Sequence, residues 1–149
     1  MAVTASGLYC ATFLDVLDTT QLALDLDLET HKVAMFTNSI TPDFTNDTAY
    51  GVSPYDANEV SGTGYTAGGA TLTGTTTAKA SGAISLDATD VSWTTSTITN
   101  ARCALAYADA LAGNNAIVLV NFGADYSTVA GTFTIQWNAS GIFSIDLTP

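Results

Sequence analysis

Between Glu59 and Thr73 the chain reads Glu-Val-Ser-Gly-Thr-Gly-Tyr-Thr-Ala-Gly-Gly-Ala-Thr-Leu-Thr, a polar run punctuated by four glycines. Glycine at this density lets the backbone adopt positive φ and lie close against a neighbouring surface. No Lys, Arg, His or Cys stands among them, so the run offers no side chain to activate a substrate. It reads as architecture. From Tyr65 to Thr77 the chain is Thr-rich and interrupted at Gly68, Gly69 and Gly74, which predicts bulged or twisted strands.

The rest of the chain has a similar grain. Residues 8–18 carry a helical period, with Tyr9, Phe13, Val16 and Leu17 at i, i+4, i+7 and i+8 and Ser6 available as the N-cap. Leu22, Leu24, Leu26 and Leu28 then alternate with Ala23, Asp25, Asp27 and Glu29, the period of two of a half-buried strand with a solvated acidic face. A strand is predicted over Lys32–Thr37. Ile84 and Leu86 alternate, as do Val91 and Trp93, around a turn at Asp87–Asp90. Cys103, Leu105 and Tyr107 point one way and Ala104, Ala106 and Ala108 the other, so both faces of that strand are candidates for burial. The apolar run from Ala116 to Phe122 reads as a buried strand, and Gly123–Ala130 as the loop after it. Phe133, Ile135 and Trp137 alternate with polar residues and, past Asn138-Ala139-Ser140-Gly141, Phe143, Ile145 and Leu147 do the same, which predicts a hairpin.

The segment from Asn38 to Asn58, containing Pro42 and Pro54, has no clear period and exceeds the usual loop length. It is an arm held by a partner, a run of hidden short strands, or a loop folded over its own core. Its aromatic residues Phe44, Tyr50 and Tyr55, set among small polar ones, have the composition of a contact surface. Together with the turn at Gly62 and Gly64 they are the candidate partner-contact residues. One helix and seven to nine short strands, in a chain of 149 residues long enough for a single core, argue for one mainly β domain over 1–149. Its expected form is an antiparallel β-sandwich or flattened barrel with one short N-terminal α-helix.

Charge and chemistry narrow the function. Hydrophobic residues make up 47% of the chain and charged ones 11%, against roughly 25% charged in ordinary soluble domains. Fourteen acids face three cations, Lys32, Lys79 and Arg102, for a net charge of -11. A phosphate backbone would be repelled, whereas a basic protein surface is compatible. No apolar run approaches the roughly 18 residues of a membrane span, and the N-terminus lacks the positive n-region of a signal peptide. Cys10 and Cys103 read as reduced, buried thiols. The single histidine, His31, reads as an exposed residue at a strand start, with no nucleophile elbow in the sequence. One His and two distant Cys are too few for zinc, and the loops around Asp43, Asp47, Asp87, Asp90 and Asp125 match no calcium pattern. No catalytic, cofactor-binding or metal residue is therefore assigned. Trp93 and Trp137 alternate in phase with core residues, although they and the tyrosines keep a carbohydrate-binding sandwich open as an alternative.

Four blocks in this order, EVSGTGYTAGGATLTG (59–74), LDATDVSWTTSTITNAR (86–102), LVNFGADYS (119–127) and GTFTIQWNASGIFSIDL (131–147), with KVAMFTNSITPDF (32–44) upstream, cover nearly the whole chain. They resemble a family of small tailed-bacteriophage virion proteins. The resemblance implies a structural component of the particle, with a minor capsid or decoration protein on the head exterior as the first expectation. A tail-tube, baseplate or fibre component is the second. The partners implied are the major capsid protein lattice and copies of the chain itself, with no nucleic acid and no membrane. Assembly would take place in the host bacterial cytoplasm.

Overall fold

A computed structural model describes residues 2–28 and 30–148. Along the chain the elements are β1 (Gly7–Leu8), α1 (Cys10–Leu17), β2 (Lys32–Phe36), β3 (Ala70–Thr71), β4 (Thr76–Ala80), β5 (Ala83–Asp87), β6 (Val91–Tyr107), β7 (Ala116–Ile135) and β8 (Phe143–Asp146). They form a five-stranded sheet, β1-β7-β6-β2-β3, and a three-stranded sheet, β4-β5-β8. Every pairing is antiparallel. The fold is mainly β and sandwich-like, with one short helix near the N-terminus and no closed barrel among the described residues.

The alternating run Cys103–Ala108 dictates how the core divides. Cys103, Leu105 and Tyr107 join Ala34, Phe36 and Leu119 in one buried cluster, and Ala104, Ala106 and Ala108 join Val33, Met35 and Val118 in another. The central sheet is covered on both faces, as period-two geometry requires when both sets of side chains are apolar.

β6 and β7 are far longer than the short strands expected. Between the pairs Cys103↔Asn121 and Ala101↔Tyr126, β6 advances two residues and β7 five, so the Gly123–Ala130 stretch is a bulged strand and not a loop. Such bulges increase twist and bend the strand. The Phe122 and Phe133 rings lie 6.2 Å apart, although eleven residues of straight strand would separate them by about 36 Å. The ribbon therefore doubles back, and Val91, Trp93, Phe133 and Ile135 from one end share a core with Ala104, Ala106 and Val118 from the other. Gly62 and Gly64 pack on the bend: a Cβ on Gly62 would meet the Thr97 carbonyl oxygen, and one on Gly64 would approach Ser96 Cα at 3.0 Å.

Other expectations change. The turn at Asn138–Gly141 closes, with Gly141 N donating to Asn138 O at 2.8 Å, but no hairpin forms around it. Ile135 pairs with Val91 of β6 and Ile145 with Ile84 of β5, so the turn passes the chain from one sheet to the other. Leu22–Leu28 is not a strand. Asp25 Oδ1 accepts from Asp27 N at 3.3 Å and Leu28 N at 3.2 Å, a local turn that competes with sheet pairing, while Leu24 and Leu26 still reach the core. Glu29, the last acid of that alternation, lies outside the described residues. Ser6 does not cap α1. Its Oγ accepts from Asn121 N at 2.9 Å, and the helix starts after Tyr9, which supplies no side-chain cap.

The 38–58 segment folds over the sheet and fixes a layer of tyrosines. Tyr55 packs edge-on against Tyr9 and Phe36 and shares a hydroxyl hydrogen bond with Tyr9. Burial, supplemented by the Glu59 carboxylate beside it, pushes the Tyr50 phenol up from its ordinary 10.0 to about 12. Burial also raises Tyr9, Tyr55, Tyr65 and Tyr107, and lifts the Cys103 thiol from 9.0 to about 12. The unfolded chain therefore releases these protons first as pH rises. The stability they contribute is whole below about pH 9 and is lost progressively toward about pH 12. Denaturant titrations at about pH 8 and about pH 11 are expected to show a falling midpoint, with tyrosinate absorbance from these five rings appearing together with unfolding. Phenolate absorbance from them in the folded protein would contradict this.

Candidate functional site

Helix α1 lies across from the small sheet, and the sequence leaves the gap between them unfilled. Phe13 of α1 meets Phe143 of β8 edge-on at 6.2 Å. Beside that contact Val16 and Leu17 of α1, Leu26, Ile84 of β5, and Ile145 and Leu147 wall an apolar groove of about 480 Å³. Leu17 is 84% exposed, Leu147 66% and Ile84 41%, so the groove is open to water. Covering such side chains fully returns about 1.5–3 kcal/mol each.

Acids lie to one side of the groove: Asp25 and Asp27 wall an adjoining hollow together with Leu26 and Ile84, while Asp146 alternates in β8 with Ile145 and so faces away. Lys79, across the ladder from Ile84, is the cation of the neighbouring strand. Asp27 is held by the Thr77 hydroxyl at 2.9 Å, and that bond keeps its carboxyl below the usual range. The arrangement suits an apolar segment with a basic residue toward the Asp25 and Asp27 side.

The sequence-derived contact residues lie elsewhere. Phe44, Tyr50 and Tyr55 come together, but on the protein's own core: Phe44 against Tyr9 at 5.4 Å, Tyr50 stacked on Tyr107 at 4.5 Å, and Tyr55 buried. Gly62 and Gly64 are remote from that layer, pressed on β6. Of the readings left open for 38–58, the loop folded over its own core is the one observed. The physical reason is that its aromatic rings complete a face of apolar side chains on β2 and β6 that would otherwise meet water. The groove residues were missed because Leu17 and Leu147 each sit in a period that signals burial, yet are among the most exposed large apolar residues.

His31 is buried, not exposed; its Nε2 donates to the Asp25 carbonyl at 2.9 Å. That contact ties the imidazole to the backbone turn and leaves Nδ1 buried without a hydrogen-bond partner among the described residues. Cys10 is exposed and Cys103 buried, both as free thiols, so the first departs from the expectation. The aspartates considered for calcium are engaged with the protein itself: Asp43 with Thr45 and Asn46, Asp47 with Asp43 N, Asp87 with Ala88 N, Asp90 with Trp137 N and Asp125 with Arg102. Among the described residues no three His, Cys, Asp or Glu side chains are grouped to hold a metal, and no helix is long and apolar enough to cross a membrane. Trp93 is in the core as predicted. Trp137 is half-buried, its indole N–H donating to Thr89 O at 3.1 Å.

No protein-family model matches the chain, and neither a curated protein nor a solved structure does.

Proposed function

We propose that this chain is a non-enzymatic structural protein of a tailed-bacteriophage particle, a minor capsid or decoration protein that docks on the outside of the head and stabilises the shell. The exposed apolar groove, with Asp25 and Asp27 on one side of it, carries the reading. It is a preformed surface for a basic, partly apolar protein site, and a ligand that binds the assembled lattice better than free subunits stabilises that lattice by mass action. The sequence blocks 59–74, 86–102, 119–127 and 131–147 supply the phage context. His31, the single histidine, is wholly buried and out of reach of a dissolved substrate, which supports a role without acid–base chemistry.

The test uses mature particles of the phage that encodes the chain. Mass spectrometry is expected to find it at a lattice multiple of copies, and a reconstruction is expected to show its density on the head exterior. Leu17→Asp, which puts an acid into the groove at an exposed site, is expected to leave thermal stability within about 0.5 kcal/mol. It should weaken rebinding to particles stripped of the protein by about tenfold or more, equivalent to about 1.4 kcal/mol. Density on the tail tube or baseplate would move the protein to the tail, and particles lacking the chain would end the proposal.

A further inference from the structure

β7 bends back on itself, and its two arms enclose a cleft of about 400 Å³, a volume usual for small-ligand sites. Phe122 and Tyr126 line it from one arm, Phe133 from the other, and Trp137 from just past the end of the strand. Thr132 lines it beside Phe133, so the cleft follows the strand's edge, where side chains of either face can reach. It shares no residue with the groove at α1.

The lining selects a chemistry. Trp137 packs on the core, with its indole N–H held by Thr89 O at 3.1 Å and its backbone N–H by Asp90 Oδ1 at 2.9 Å, so the ring enters the cleft in a fixed orientation. Tyr126, 51% exposed, stands edge-on to Phe122 at 6.3 Å. Thr128 and Thr134, which also line the cleft, spend their hydroxyls on Ser96 and Ser92. The Tyr126 and Thr132 hydroxyls and the Gln136 amide are exposed and have no hydrogen-bond partner among the described residues. No charged side chain lines the cleft, and a net charge of -11 repels an anion. The ligand that fits is therefore uncharged, with apolar faces for the rings and hydroxyls for the free polar groups. A saccharide has both, in the C–H faces of its rings and the hydroxyls around them. An acyl chain would use the rings but displace water from Tyr126, Thr132 and Gln136 without replacing its hydrogen bonds.

We infer that this cleft binds a neutral saccharide, stacked on Trp137 and Tyr126 and hydrogen-bonded by Thr132 and Gln136. The inference stands apart from the particle assignment, because it rests on the cleft alone. The full chain is screened against an array of neutral oligosaccharides built from hexoses and N-acetylhexosamines, each beside a uronate-containing counterpart, and hits are titrated by tryptophan fluorescence and calorimetry. At least one neutral glycan is expected to bind with a Kd below about 1 mM, and its acidic counterpart about tenfold more weakly. Free disaccharides and immobilised polysaccharides are both tried, so that a soluble sugar is distinguished from a surface-borne one, either being a supporting result. Trp137→Ala is expected to weaken binding by about tenfold or more. Because Trp137 also packs on the core, Tyr126→Ala and Gln136→Ala, at exposed positions, serve as further variants. Each is expected to weaken binding by about threefold or more with the melting temperature unchanged. A chain that binds no neutral glycan at about 1 mM overturns the inference, as does binding that all three variants leave intact.

Discussion

Gly69→Ala is expected to destabilise the protein by about 3–5 kcal/mol and to lower its melting temperature by about 10 °C or more. Gly69 has φ +75° and turns the chain into β3; its N–H donates to Thr66 O at 2.9 Å. A Cβ there would overlap the Val33 carbonyl oxygen and come within 2.7 Å of Ala34 Cα. Those atoms belong to the backbone of β2, which pairs with β6 along all five of its residues. They cannot yield as a flexible side chain would, so either β3 peels away or the sheet shifts. Gly123→Ala separates the two contributions. Gly123 has φ +79° but nothing within 4 Å of its Cβ position, so it should lose only the left-handed strain of about 1–2 kcal/mol. Urea denaturation of the two variants checks this, and equal losses would mean that contact with β2 is not what requires glycine at 69.

Glu59→Ala is expected to cost about 3 kcal/mol, with Glu59→Gln near half of that. One carboxylate holds three donors: Tyr50 hydroxyl at 2.8 Å, Tyr65 hydroxyl at 2.7 Å and Gly68 N at 2.7 Å. Tyr65 in turn accepts from Met35 N at 2.9 Å, and Tyr107 donates to Gly68 O at 2.9 Å. The network thus ties the 38–69 segment to β2 and β6. Hydrogen bonds to a charged acceptor contribute about 1.5–3 kcal/mol each net of solvent, and because Glu59 is only half-buried water takes over part of what the donors lose, which holds the expected total near about 3 kcal/mol. Near-UV circular dichroism should weaken as the Tyr50–Tyr107 stack loosens. In a double-mutant cycle with Tyr50→Phe, a coupling of about 1 kcal/mol is expected. A loss below about 0.5 kcal/mol for Glu59→Ala would show that packing alone closes the segment.

Much of the fold was legible residue by residue. The alternation at Cys103–Ala108 separates two cores because successive strand side chains must face opposite ways. The helical spacing of Tyr9, Phe13 and Val16 marks α1 to within two residues at each end. The glycines at 62, 64 and 69 signal backbone in close approach, and Thr97, Ser96 and Val33 are what they approach. Less legible was who pairs with whom. Ile135 and Ile145 have the period of a hairpin, yet each finds a different partner, since period two records which face is apolar and says nothing about the neighbouring strand. Small polar residues at 123–130 resemble a loop in isolation, but in a long ribbon they supply bulges. The candidate site was the least legible part. Leu17, Leu26, Ile84 and Leu147 come from four separate stretches, and only the packing of α1 over the small sheet makes them one surface.

By itself the sequence determined a mainly β chain with one short helix, an acidic character, and a scarcity of groups that move protons. These follow from local steric preference and composition, which act wherever the chain goes. The tertiary structure decided that the ribbon of β6 and β7 bends back on itself, that Phe44, Tyr50 and Tyr55 belong to the core, and that a groove and a cleft remain uncovered. Those outcomes depend on competition among distant segments for the same apolar area and the same backbone hydrogen bonds, and a competition of that kind is resolved only when all the segments are present together.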